Sequence, residues 1–170
     1  REQAETFYRL AGSRASTREF GPEPIAPDVV DRILRAACRA PSAHNRQPWR
    51  FVVVGQGASR EAMVASLQSR LEQDLSADGV QGEALAERLA ARKTRLAAPA
   101  LLVVVCLCME DMDSYPDERR KSAERTMAEQ SVALAGGQIL LAAHAEGLGA
   151  CWLCAPLFAP QDIVQALGLP

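Results

Sequence analysis

Three short segments concentrate the side chains that could do chemistry. In SRASTREF, residues 13–20, Arg14, Ser16 and Arg18 sit two apart and a loop follows. In extended backbone that spacing puts all three side chains on one side. Two guanidinium groups with a hydroxyl between them make a phosphate receptor, because arginine presents fixed, forked donors to phosphate oxygens. A solvated basic turn is the plainer alternative for this segment taken alone. In APSAHNRQPWRF, residues 40–51, Ser42, His44, Asn45 and Gln47 crowd hydrogen-bonding groups into six residues between a helix end and a strand. The Asn and Gln amides suit the donor and acceptor edge of a heterocycle. The alternative is a turn braced by its own polar side chains, with Trp49 in the core. His44 has no acid partner nearby in sequence and reads as structural. In AEGLGACWLCAPLF, residues 145–158, glycines allow a backbone to approach a ligand closely. The Ala155 amide, next to Pro156, is available to donate at a strand end. A helix cap running into a buried strand is the simpler reading there.

These segments need elements to hold them. The first dozen residues can form a short helix with Phe7, Leu10 and Ala11 on one side. A polar stretch with Pro22, Pro24 and Pro27 follows. Pro27 suits a first helical position, Asp28 complements the helix dipole, and Val29, Ile33 and Ala37 give an apolar stripe. Phe51 to Val54 reads as a buried strand. Met63, Leu67 and Leu71 mark a helix, and Leu85, Leu89 and Leu96 another, with the turn DLSADGVQG between them. Leu101 to Met109 is the strongest strand signal. A long helix is expected from about Glu118 to Glu146, ended by Gly147 or Gly149. Its middle, around Ala133, Ala135, Gly136 and Gly137, is small enough for another backbone to pack closely. A strand at Ala150 to Cys154 and a helix near Gln161 to Leu167 complete an α+β order. Three strands make a thin sheet, so further strands lie outside this stretch or come from another chain.

The 170 residues fit one domain, 1–170, with a real core. A formal charge of -2 gives no support for a nucleic-acid partner, and the apolar run Ala100 to Met109 is too short to span a bilayer. No signal peptide is visible, and the chain begins with Arg1 rather than Met, which fits a few leading residues lying outside it. Five cysteines, an odd number in apolar surroundings, read as reduced thiols in a cytoplasmic protein. Cys151-x-x-Cys154 lacks a second pair at zinc spacing, so the two read as small core hydrophobes and no metal is expected.

Taken together, R-x-S-x-R-x-F, P-S-x-x-N-x-Q-P-W-R-F and the late G-L-G-x-x-W, in that order, resemble the nitroreductase family. The resemblance implies a nitroreductase-like α+β fold: a central, mostly antiparallel sheet surrounded by helices, in an intertwined homodimer holding FMN at the subunit interface. It implies that Arg14, Ala15, Ser16 and Arg18 hold the FMN phosphate and ribityl chain. Ser42, Asn45 and Gln47 would line the flavin ring, with Pro41 nearby, and Cys154 and Ala155 would form the strand end whose amide faces the reactive ring nitrogen. No catalytic side chain is implied, since the flavin carries the chemistry; NADH or NADPH is the implied electron donor. Family chains usually continue past the position of Pro170 with another strand, a basic residue near the phosphate and an arm over the partner.

Within the family, DLSADG, MDSYPDERRKSAERTM and GLGACWLCAPLF resemble the reductase domain fused to the bacterial gamma-glutamyl ligase of deazaflavin coenzyme (coenzyme F-420) biosynthesis, and its stand-alone relatives. That likeness implies reduction of a double bond in the dehydro precursor of the coenzyme. Tyr115, Arg119, Arg120 and Arg125 are then candidates for contacting an anionic substrate, against ordinary surface pairs at a charged helix start. Alternatives are a general NAD(P)H-dependent nitroreductase, an oxygen-dependent flavin-processing or dehalogenating relative, and a non-catalytic protein that holds FMN or the deazaflavin coenzyme.

Overall fold

The longest element sets the frame. In the computed structural model, which describes every residue except Pro22, helix α5 runs from Glu118 to Ala145. Asp117 caps its start by accepting from the Arg120 N–H at 3.0 Å. Its end is closed by Gly147, at φ +77°, and the Leu148 N–H donates to the Ala143 carbonyl at 2.9 Å. The other elements are α1 (Glu2–Ser13), α2 (Pro27–Ala37), β1 (Trp49–Val54), α3 (Ala58–Ala77), α4 (Gly82–Ala97), β2 (Leu102–Leu107) and α6 (Pro160–Leu167). Short 3-10 turns cover Ala43–Asn45 and Ala155–Phe158. The turn expected over DLSADGVQG is shorter than predicted, because α3 continues through Ala77.

The chain divides into two units. The first comprises residues 1–17, 25–52 and 103–152. In it α2 buries Ile33 and Ala37 against α5, which buries Ala128, Val132 and Ala135. Ala40, Trp49, Val132 and Ala135 form a core on which Phe51, Val105 and Leu107 pack. Strands β1 and β2 pair antiparallel, and beyond their ends the Cys108 N–H donates to the Pro48 carbonyl at 2.8 Å. Trp152 lies over α5 at Gly136, where a Cβ would come within 2.0 Å of its ring. That contact explains one of the small residues in the α5 middle. Gly137, beside it, meets nothing within 4 Å.

The second unit comprises residues 18–24, 53–102 and 153–170, and in it α3 packs on α4 and on α6. Met63, Val64, Leu67, Leu96 and Ile163 are buried there. Arg60, 2% exposed, donates to the carbonyls of Leu96 and Ala100 at the end of α4, where a cation complements the helix dipole.

The strand expected over Ala150 to Cys154 does not form. Among the described residues it is reduced to an isolated parallel bridge between Ser16 and Ala150. Beyond Ala150 the chain has no neighbouring strand to complete a ladder, and from Ala155 it turns into the 3-10 turn. The cysteines also depart from expectation: Cys151 is only half-buried and Cys154 exposed, so neither is a core residue. Among the described residues no helix is long and apolar enough to cross a membrane.

Candidate functional site

After α1 ends at Ser13 the backbone turns extended at Arg14, with φ -64° and ψ 127°. The Ser16–Ala150 bridge and the Thr17 N–H, which donates to the Ala150 carbonyl at 3.0 Å, tie this segment to the stretch after α5. Gly149 permits this approach: a Cβ there would lie 2.7 Å from the Thr17 side chain. The structure thus brings the first and third motifs together in the first unit. They border a cleft of about 320 Å³ lined by Arg14, Ala15, His144, Gly147, Leu148 and Gly149, among others. At its edge Ser13 Oγ lies 2.8 Å from His144 Nε2, a contact that sequence reading missed. Among the described residues neither the Arg14 nor the Arg18 guanidinium has a partner. Arg18 falls in the second unit.

The second motif folds as a strained turn. His44, Asn45 and Gln47 lie at φ +50°, +54° and +50°, the left-handed region that non-glycine residues occupy at a cost of ~1–3 kcal/mol each. Local bonds brace it: the Gln47 N–H donates to Ser42 Oγ at 3.0 Å, and Gln47 Nε2 to Asn45 Oδ1 at 3.2 Å. Ser42 therefore has a structural task in the turn as well as any ligand contact. From outside, Ser131 Oγ on α5 accepts from the Ala43 N–H at 3.2 Å, and Arg46 Nη2 donates to Asp113 Oδ1 at 2.6 Å. The sequence signal for Ser131 is slight, a hydroxyl after Glu129 and Gln130 at the start of the small-residue stretch of α5. Arg46 and Asp113 carried no such signal. Pro41 and Ser42 border a smaller cleft, about 230 Å³, with Met127, Gln130, Ser131 and Leu134.

Cys154 and Ala155 open the 3-10 turn in the second unit, and no acceptor among the described residues meets the Ala155 N–H. The substrate candidates are divided. Arg120 stacks on Tyr115, 4.9 Å from its ring centroid, and pairs with Asp117. The Arg120 backbone N–H, with its guanidinium, holds the Asp117 carboxyl below its usual range. Arg125 pairs with Glu129 at 2.9 Å, whereas Arg119 has no partner among the described residues. Arg120 and Arg125 thus make the surface pairs weighed as the alternative.

A family model for the nitroreductase family matches residues 11–170. The chain belongs to that family. The nitroreductase family consists of FMN-dependent oxidoreductases, which places the chain among enzymes. It is 33% identical over 162 residues to 5,6-dimethylbenzimidazole synthase of Rhodospirillum rubrum, a match spanning 92% of this chain and 72% of that protein. It is similar to the structure of oxidized iodotyrosine deiodinase bound to FMN and 3-iodo-L-tyrosine, with 26% identity and a TM-score of 0.70 over 96% of this chain and 81% of that one. An FMN-dependent nitroreductase of Mycobacterium smegmatis in complex with NADPH shares the fold, at 18% identity and a TM-score of 0.71 over 99% and 83%.

The residues present suit FMN. Two guanidinium groups without anionic partners match a phosphate in charge. The Asn45 Nδ2 and Gln47 Oε1 groups, one donor and one acceptor, are not engaged by described residues and match the polar edge of a flavin ring.

Proposed function

We propose that this nitroreductase-family chain binds FMN through Arg14, Ala15, Ser16 and Arg18 at the phosphate and ribityl end. Pro41, Ser42, Asn45 and Gln47 serve the ring end. Cys154 and Ala155 present a backbone donor toward the ring nitrogen. The observation that carries this reading is that, among the described residues, the two guanidinium groups flanking Ser16 in sequence have no partner. Bound FMN supplies hydride acceptance and return. The residues supply the rest: the arginines neutralise the phosphate, the amides fix the ring's direction, and the Ala155 N–H offers a preorganised dipole.

The chain is read as one FMN-binding domain, working as a cytoplasmic homodimer on a small molecule, with NADH or NADPH as donor. A dimer is supported by apolar surface on α5 and around it: Leu134 is 50% exposed, and Gly137 meets open space. Cys38, Cys106, Cys108 and Cys151 form no disulfide, which suits a reducing compartment.

The acceptor we favour is a conjugated small molecule such as the dehydro precursor in deazaflavin (coenzyme F-420) biosynthesis, with Tyr115, Arg119, Arg120 and Arg125 on its anionic groups. Arg119, which has no partner among the described residues, supports that role most directly. A second reading, a flavin-processing or dehalogenating enzyme, draws support from the likeness to the dimethylbenzimidazole synthase and the iodotyrosine deiodinase. The test is turnover by FMN-loaded protein with NADH or NADPH, offered the dehydro precursor, a nitroaromatic and 3-iodo-L-tyrosine, with an aerobic assay for dimethylbenzimidazole. Turnover fastest on the dehydro precursor supports the first reading. Iodide release or dimethylbenzimidazole formation without precursor turnover overturns it in favour of the second.

A further inference from the structure

We infer that Glu124 and Asp113 are positioning residues for the turn at 42–47, acting on it through Arg46. This rests on the reading of that turn as the wall of the flavin ring. Three left-handed, non-glycine residues need outside restraint to stay in place, and the bonds within the turn cannot supply it, since they move with the turn. Arg46 sits between Asn45 and Gln47, in ordinary helical backbone at φ -71°. It donates to Asp113 Oδ1 at 2.6 Å. Asp113 lies in the connection between β2 and α5, and its own N–H donates to Glu124 Oε1 at 3.1 Å. Glu124 is 1% exposed on α5.

The burial of Glu124 is the informative part. A carboxylate taken out of water is costly unless it is well paired, and an apolar side chain of similar size would fill the space at lower cost. Yet Glu124 makes one described hydrogen bond, and its Oε2 meets no donor among the described residues. What the side chain provides is an acceptor at one fixed point. It pins the Asp113 backbone to a 28-residue helix, so the Asp113 carboxylate is held where Arg46 reaches it. The path runs from rigid helix to loop to strained turn, all within the first unit.

The test uses the full chain titrated with FMN, reading the dissociation constant and the flavin's visible absorption band. Arg46→Ala and Asp113→Ala are each expected to weaken FMN binding about fivefold, as befits a half-exposed pair, and to shift the band. The double variant is expected to be no weaker than either single one, because both remove the same tie. Glu124→Gln keeps an acceptor for the Asp113 N–H and is expected near wild type, whereas Glu124→Ala is expected to weaken binding by no more than the roughly fivefold loss of Arg46→Ala, since it acts through the same tie. Unchanged affinity and band in Arg46→Ala, additive losses in the double variant, or Glu124→Gln as damaged as Glu124→Ala would each overturn the inference. If Glu124→Ala does not fold, the other variants still decide. Asn45→Ala with Gln47→Ala separates the two levels. If that variant also leaves FMN binding untouched, the reading of the turn itself fails; if it weakens binding while Arg46→Ala does not, only the positioning inference fails.

Discussion

Segment 14–18 and the turn at 42–47 are assigned to opposite ends of one ligand, and they are built in opposite ways. The arginine segment has extended backbone at Arg14, no positive φ, and a tie within the first unit at the Ser16–Ala150 bridge, and among the described residues neither the Arg14 nor the Arg18 guanidinium has a partner. The turn holds three residues at positive φ and is braced by hydrogen bonds that it donates to Ser42, Ser131 and Asp113. The chemistry of each end explains the contrast. Attraction between charges falls slowly with distance, so long, mobile arginines can still find a phosphate. A hydrogen bond weakens steeply with misdirection, so groups that read a flat ring must be aimed in advance.

The largest effect expected from breaking this contrast comes at the charged end. Arg14→Ala with Arg18→Ala removes two charge-assisted contacts, and FMN affinity should fall on the order of 100-fold. Flavin fluorescence titration measures it. The same titration across salt concentrations sharpens the point: wild-type affinity should decline as salt rises, and the double variant should be much less salt-dependent. Equal salt slopes would mean that the arginines do not meet the phosphate.

Next in size is a change that touches neither region. Gly136→Ala sets a methyl group where the Trp152 ring lies, 2.0 Å away, so the tryptophan must shift. Overpacking of this kind costs ~1–3 kcal/mol, read as a lower Tm in the absence of FMN. A Tm unchanged by this substitution would show that the contact is loose.

A smaller effect probes the strain. His44→Gly places at φ +50° a residue that accepts that backbone freely. Stability should rise by up to ~1 kcal/mol, a gain of a few degrees in Tm. A fall in Tm would mean that the His44 side chain contributes more than its backbone costs.

The smallest effect concerns the brace between α2 and the end of α5. The Arg32 guanidinium bonds to Asp28 at 2.7 Å and to Glu146 at 2.8 Å, and these bonds hold both carboxyls below their usual values. Groups with lowered pKa stabilise the fold above the unfolded carboxylate range, and that contribution is lost as pH falls through the folded values. The Tm difference between wild type and Arg32→Gln should therefore be present at pH 7 and close below about pH 4. A difference that persists in acid would assign the effect to packing of the Arg32 stem.

Most of the helices were legible because their apolar spacing and caps were explicit: Pro27 and Asp28 opened α2, and Gly147 closed α5. The strand after α5 was not. The apolar run in GACWLC resembles a buried strand, but a strand also needs a neighbour, and among the described residues only Ser16 supplies one, as an isolated bridge. The polar motifs at 14–18 and 42–47 stood out because clustered donors in a short span are visible without coordinates. What stayed hidden was long-range pairing. Nothing in the spacing of Arg46, Asp113 and Glu124, or of Ser13 and His144, indicates that the fold brings them together.

The central claim is that this chain carries a complete enough cradle to hold FMN. Titration of the purified chain with FMN, followed by flavin fluorescence, tests it most directly. Saturation at one FMN per chain, with loss of that binding in the Arg14→Ala, Arg18→Ala variant, is the result expected. Fluorescence that stays at the value of free FMN, or equal binding by wild type and variant, would contradict it.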